Sequence, residues 1–306
     1  MVDIKFKSIL IIGVGLIGSS LARAIKEHDL SEDIYGIDSN LENLKKCEEL
    51  KIVKKISDNI NNFSNQFDLI LICSPLNTYK NIFRDLNSFV IKDTLVTDVG
   101  STKMSVINDF KEVVFNEHIK FVSSHPIAGL EKSGPEFGFA KLFENRFCII
   151  TPITKEINYI KKINKFWTLI GMQVEMMEAE HHDRVLAMTS HVPQLIAYSI
   201  VATATELESH LKDEVIKYSA AGFRDFTRLA GSDPIMWRDI YSKNKDAVLE
   251  MLGRFTKDLS ILQKAIRNDD LSFLETTFRT TREVRKTIEK LGQAGTFDPT
   301  ESKKIK

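Results

Sequence analysis

The chain has 306 residues, more than one hydrophobic core usually serves, so two domains are expected. Lys plus Arg and Asp plus Glu both total 42, which leaves no net field to draw nucleic acid or an anionic membrane to the whole surface. Three distant cysteines, Cys47, Cys73 and Cys148, lack CxxC spacing and argue against a disulfide framework or a zinc site.

The amino terminus runs directly into a strand-like segment, and no apolar stretch reads as long enough to cross a membrane, so a cytoplasmic protein is expected. From Ser8 to about Met177, strand-like runs alternate with helical patterns, the mark of a parallel α/β sheet. Strands are predicted over 9–13, 33–38, 68–73, 94–99, 120–124, 147–151 and 173–177, mostly rich in β-branched residues. From Glu178 the pattern turns helical, with long apolar spacing over 179–211, 246–266 and 271–291. Ser232-Asp233-Pro234 reads as a helix start, because Asp caps free amides and proline tolerates the first turn. The expected organisation is therefore 1–177 as a cofactor-binding α/β domain and 178–292 as a helical domain, with 293–306 as a flexible tail. The apolar faces of the last helices are too extensive for one short bundle, which predicts a homodimer built on the helical domain.

Gly13-Val14-Gly15-Leu16-Ile17-Gly18 follows the first strand and opens a predicted helix over 19–27, so its GxGxxG spacing sits in the required context of a Rossmann-type domain. Gly13 permits the tight turn, Gly15 lets backbone approach a pyrophosphate, Gly18 allows close helix packing, and the helix amino end attracts phosphate charge. Asp38 ends the second strand twenty residues after Gly18, where a carboxylate accepts hydrogen bonds from a ribose and repels a 2′-phosphate. NAD is therefore preferred to NADP, with Lys45 and Lys46 able to soften the choice. Ser74 and Pro75 end the third central strand beside the same path. Ser101, after the next strand, reads both as a cap for a helix beginning near Lys103 and as a contact to substrate.

His125 ends the run 119–126, where an open parallel sheet gathers its ligands. A strand-end histidine alone is more often satisfied by backbone; beside a dinucleotide turn it reads as a general base for oxidation of an alcohol. Arg224, Arg228 and Arg238 compete as partners for a substrate carboxylate, since a guanidinium offers two matched donors. Glu178, His181, His182 and Asp183 read as a polar helix at the domain junction rather than a metal site, and no metal is expected.

Taken together, Gly13 to Gly18, Asp38, Gly100-Ser101, the segment Ser124-His125-Pro126-Ile127-Ala128-Gly129, and Gly222 to Arg228 with Ser232 to Trp237 resemble prephenate dehydrogenase. The similarity runs from the first strand to about residue 290. The resemblance implies NAD-dependent oxidative decarboxylation of prephenate to 4-hydroxyphenylpyruvate in tyrosine biosynthesis, by a dimer joined through its helical domain. It implies His125 as the base, oriented with the ring hydroxyl by Ser101, and Arg228 as the carboxylate partner. It also implies Trp237 and His191 in the substrate pocket, with Glu131 and Asp225 near its entrance. Some members carry a second histidine three residues after the position of His191, where this chain has Gln194, which leaves feedback inhibition by tyrosine open. An arogenate dehydrogenase and a dinucleotide-sensing protein without catalysis are the alternatives.

Overall fold

A computed structural model describes residues 4–64, 67–206, 214–215 and 217–290. Eight strands form one sheet in the order β3-β2-β1-β4-β5-β6-β7-β8. They are β1 (Phe6–Ile12), β2 (Ser31–Ile37), β3 (Lys55–Ser57), β4 (Leu69–Ile72), β5 (Thr94–Asp98), β6 (Ile119–Pro126), β7 (Phe147–Thr151) and β8 (Gln173–Met176). Neighbours from β3 through β6 run parallel, β7 is antiparallel to β6, and β8 is parallel to β7. The seven expected strands are present. The edge strand β3 was not foreseen: three residues with one exposed lysine carry too little apolar pattern to read.

The central strands are apolar on both faces because helices cover both. Ile9 and Ile11 of β1 enter a core with Leu21 and Ile25 of α1 (Leu16–Glu27), Cys47 of α2 (Leu41–Glu49), and Phe166 and Trp167 of α5 (Ile157–Leu169). Leu10 and Ile12 point the other way, to Tyr79 and Phe83 of α3 (Tyr79–Phe89) and Val106 of α4 (Met104–Val113). This period-two division is the geometry of a strand buried on both sides. Helix α1 begins at Leu16, three residues earlier than expected, so the glycine turn passes into it without a linker.

Beyond β8 the chain is helical: α6 (Ala179–Leu186), a π-helical turn (Ala187–His191), α7 (Val192–Thr205), and short helices at Ala221–Thr227 and Pro234–Lys243. The sequence pattern read 179–211 as one helix. Pro193 supplies the reason for the interruption, since it cannot donate to the carbonyl four residues back and the preceding turn widens. Asp233 caps the Pro234–Lys243 helix as expected, accepting from the amides of Ile235 and Met236 at 2.8 and 2.9 Å.

The stretch Ala179–Thr205 corrects one expectation: it has 27 residues and contains an 18-residue window of mean hydropathy 1.4, long and apolar enough by length and composition to cross a membrane. Its inward positions hold His182, Asp183, His191 and Gln194, all buried and hydrogen-bonded to protein partners.

The chain divides into two compact units, Met1–Val248 and Leu249–Lys306. The second contains most of the Lys245–Arg267 helix and the helix Leu271–Lys290, close to the expected bounds. These two helices line an apolar groove with Leu259, Leu262, Ile266, Leu274 and Phe278. The expected tail over 293–306 lies outside the described residues.

Candidate active site

The first part of the site lies where the strand order reverses, between β1 and β4. Gly13 has φ of +91°, and a Cβ there would stand 2.6 Å from the Ser74 amide nitrogen, so the turns after the two strands touch. A Cβ on Gly18 would stand 2.0 Å from the Gly13 carbonyl oxygen, which fixes glycine where α1 meets the turn. A Cβ on Gly15 would meet nothing within 4 Å, which leaves open space above the amino end of α1 beside Leu16 and Ile17. Asp38 closes the other side: it accepts from the Val14 amide at 2.8 Å and the Asn40 amide at 2.9 Å, tying β2 to the glycine turn. Ser74 accepts from the Thr78 hydroxyl at 2.9 Å, and Pro75 follows it exposed.

Beneath the second part lies a fully buried ion pair. Lys103 Nζ lies 2.6 Å from Asp98 Oδ2 and donates to the Ser124 carbonyl at 2.7 Å. Asp98 also accepts from Ser123 Oγ at 2.9 Å, the Ser124 amide at 3.1 Å and the Gly100 amide at 2.9 Å. Each charge is met by donors or acceptors, which is the condition under which a buried pair is tolerable; deleting one partner of such a pair costs about 3–5 kcal/mol. Trp167 Nε1 and the Thr97 hydroxyl hold Ser124 Oγ at 3.1 and 2.8 Å. The backbone leading into His125 is therefore fixed from three elements.

His125 is buried, and its partner is not backbone. Its Nδ1 lies 2.8 Å from His182 Nε2, and His182 Nδ1 lies 2.8 Å from Asp183 Oδ1. Burial pushes the His125 imidazole well below its usual pKa of 6.5, with His182, Lys103 and His191 acting in the same direction. Burial also lowers His182, against the opposing pull of Asp183. At neutral pH His125 is therefore uncharged and able to accept a proton.

Asp183 explains a second departure from expectation. Its Oδ1 accepts from the Lys103 amide at 2.7 Å and its Oδ2 from the Met104 amide at 2.9 Å, so it caps α4. Ser101 does not cap that helix, and among the described residues its side chain makes no hydrogen bond, to His125 or to any other group. Sequence reasoning placed His182 and Asp183 on a polar junction helix. The signal that would have found them is spacing: Ala179, His182, Asp183 and Leu186 repeat at i, i+3, i+4 and i+7, an inward stripe, and all four are buried. No group of three metal-ligating side chains occurs among the described residues.

His191 sits at the end of the π-helical turn, buried, with Nδ1 3.2 Å from Asn244 Nδ2 and its carbonyl accepting from the Tyr241 hydroxyl at 3.1 Å. Burial lowers its pKa to about 4. The Trp237 ring meets the His191 ring edge to face at 6.0 Å, and the indole N–H is buried without a partner. Gln194 donates to the Leu229 carbonyl at 2.7 Å, which braces the turn carrying Arg228.

Arg228 forms an ion pair with Glu131, so two residues placed separately by sequence meet. The competing arginines are engaged elsewhere: Arg238 donates twice to Asp239 Oδ1, at 2.9 and 2.7 Å, and Arg224 donates to the Ser219 carbonyl at 2.8 Å. Asp225 is exposed and is not joined to Arg224.

Residues 21–176 match the family model for the prephenate dehydrogenase nucleotide-binding domain, and residues 178–280 match that for the prephenate dehydrogenase dimerization domain. A cyclohexadienyl dehydrogenase of Zymomonas mobilis is 37% identical over 283 residues, covering 92% of this chain and 95% of the relative. A prephenate dehydrogenase of Bacillus subtilis is 32% identical over 280 residues, covering 91% of this chain and 75% of the relative. The crystal structure of the Aquifex aeolicus prephenate dehydrogenase with hydroxyphenyl propionate and NAD+ superposes with a TM-score of 0.85 at 34% identity, covering 92% and 98% of the two chains. With both family models matched and relatives of this identity aligned over nine-tenths of its length, the chain belongs to the prephenate dehydrogenase family.

Proposed function

We propose that the chain is a soluble cytoplasmic enzyme of tyrosine biosynthesis that oxidatively decarboxylates prephenate to 4-hydroxyphenylpyruvate, with NAD as hydride acceptor and carbon dioxide and NADH as further products. The observation that carries the reading is His125, an uncharged base at the carboxyl end of β6 in the same sheet as the dinucleotide turn. The residues present fit NAD. Open space over Gly15 admits a pyrophosphate at the amino end of α1, and Asp38 presents a carboxylate to a ribose. A cleft of mixed character, in which Ile12, Ile37, Ile60 and Ile82 lie beside Asp58, Asn61, Arg84 and Asp85, could receive the adenosine end of the dinucleotide. The bound nicotinamide supplies the acceptor for the hydride.

The chain's own residues then act on the substrate. His125 accepts the proton of the ring hydroxyl as hydride leaves the same carbon. The carbonyl formed there draws the electrons of the departing carboxylate through the ring, and aromatisation drives the loss of carbon dioxide. Ser101 lies on the loop after β5 as a further contact to that hydroxyl. Arg228 exchanges Glu131 for a substrate carboxylate, Asp225 adds charge at the entrance, and His191 and Trp237 wall the pocket. Arogenate is the second reading, favoured by the similarity to a cyclohexadienyl dehydrogenase and by Gln194 at the place of a second histidine. Tyrosine, which shares the hydroxyphenyl ring and carboxylate of the product, is the expected feedback ligand of this same pocket. The match to a dimerization domain and the apolar groove between the last helices support a homodimer.

NADH formation followed by absorbance, with NAD or NADP and prephenate or arogenate in parallel, tests the reading. Turnover with prephenate and NAD is expected, and binding of NAD without turnover of either substrate would replace it with a sensor. Because His125 is held well below 6.5, the acid limb of kcat/KM should lie below pH 6.5; a limb above that value would exclude it as the base. His125→Asn should keep NAD affinity and lower kcat by roughly a hundred- to ten-thousand-fold. Arg228→Ala should chiefly raise KM, by a factor corresponding to ~2–5 kcal/mol if the substrate pair is desolvated. Sedimentation equilibrium should return twice the chain mass of 34.9 kDa, and a monomer would remove the homodimer.

A further inference from the structure

We propose that Asp183 is a positioning residue that locks the two buried histidines of the site in opposite tautomers, His125 with a bare Nε2 and His191 with a protonated one. Hydrogen bonds run outward from Asp183 in two directions, one through its side chain and one through its backbone.

Both carboxylate oxygens face groups that only donate, the backbone amides of Lys103 and Met104 at 2.7 and 2.9 Å. The third neighbour, His182 Nδ1 at 2.8 Å, must then carry its proton and donate it. A neutral imidazole protonated at Nδ1 is bare at Nε2, so His182 accepts there. What faces that nitrogen at 2.8 Å is His125 Nδ1, which must therefore be the donor. The remaining nitrogen of His125, Nε2, makes no hydrogen bond to a described residue and carries a lone pair. Two links convert the carboxylate of Asp183 into a base at the far side of His125.

The other direction starts at the Asp183 carbonyl, which can only accept. Asn244 must turn its amide NH2 toward it, and does so at 2.9 Å. The same NH2 lies 3.2 Å from His191 Nδ1, which accepts and is therefore bare. The neutral ring of His191, which burial holds neutral down to about pH 4, then carries its proton on Nε2. That nitrogen likewise makes no hydrogen bond to a described residue. Two identical side chains thus offer one acceptor and one donor. The acceptor suits a hydroxyl that must lose its proton, and the donor suits an oxygen that stays. This last pairing rests on the dehydrogenase reading above, whereas the tautomers do not.

Nitrogen-15 imidazole spectra of the unmodified full chain near neutral pH decide the tautomers without any assay of turnover. His125 and His182 should be protonated at Nδ1 and His191 at Nε2; a proton on Nε2 of His125, or on Nδ1 of His191, overturns the proposal. Two substitutions test the catalytic consequence. In His182→Gln a carbonyl can accept from His125 while the amide donates to Asp183, so the order of donors survives, whereas His182→Leu abolishes it. The glutamine variant should keep kcat within about tenfold of the parent, and the leucine variant should lose about a hundredfold or more at unchanged NAD affinity. Equal losses in the two, or none in the leucine variant, would overturn the role. If the parent turns over neither prephenate nor arogenate, the dehydrogenase reading fails while the spectra still decide the tautomers.

Discussion

The clasp between the Asp183 carboxylate and the amino end of α4 is the interaction on which the site depends. It joins the first helix beyond the sheet to the loop that follows β5, across eighty residues of sequence. Helix amino ends leave amides unsatisfied and attract negative charge. A carboxylate supplied from a different element meets that need and fixes where the helical segment sits against the sheet. Because His182 is the next residue back, the same contact presents an imidazole to His125. The placement of the helical segment and the orientation of the His125 imidazole thus rest on one contact.

The polar groups around this clasp are buried, and the chain tolerates them by leaving few without a partner. Asp98 and Lys103 are enclosed completely, yet every oxygen and the ammonium are engaged. Such a pair is weak evidence for stability. Its contribution is to position: it anchors Ser124 from below while Trp167 anchors it from the side, so the histidine that follows has little freedom. The three imidazoles are held neutral by burial, which makes acid the condition that opposes this arrangement. Native pKa values below 6.5 mean that the unfolded chain binds more protons, and stability falls as pH drops from 6.5 through the native values.

How much of this was legible in the sequence depended on how local each signal was. The glycine turn, Asp38 and the Asp233 cap are short-range devices whose residue types follow from backbone geometry, and the structure realises them where the pattern put them. The seven longer strands carry enough branched apolar residues to stand out, while β3 does not. Capping of α4 was one of two roles read for Ser101, because a cap is normally sought a few residues away; the cap comes from Asp183. His182 reads in the sequence as part of a polar junction helix, and it does lie on the helix Ala179–Leu186. Its role becomes intelligible only once its partner, fifty-seven residues earlier, is in place. The ion pair of Arg228 with Glu131 spans ninety-seven residues, and no spacing rule reaches it.

The π-helical turn at Ala187–His191 has a consequence for how the site is composed. In an uninterrupted α-helix the nine residues from His182 to His191 make about two and a half turns, which would set the two rings on opposite sides of the rod. A π-bulge absorbs one surplus residue without breaking the helix, and so reduces the angular offset from about 180° to roughly 80°. One residue of slack thereby lets both imidazoles of a single helical stretch turn inward, where both are buried. The surplus is a unit of rotation, inserted into a rigid element at the point where a second imidazole had to be swung into reach.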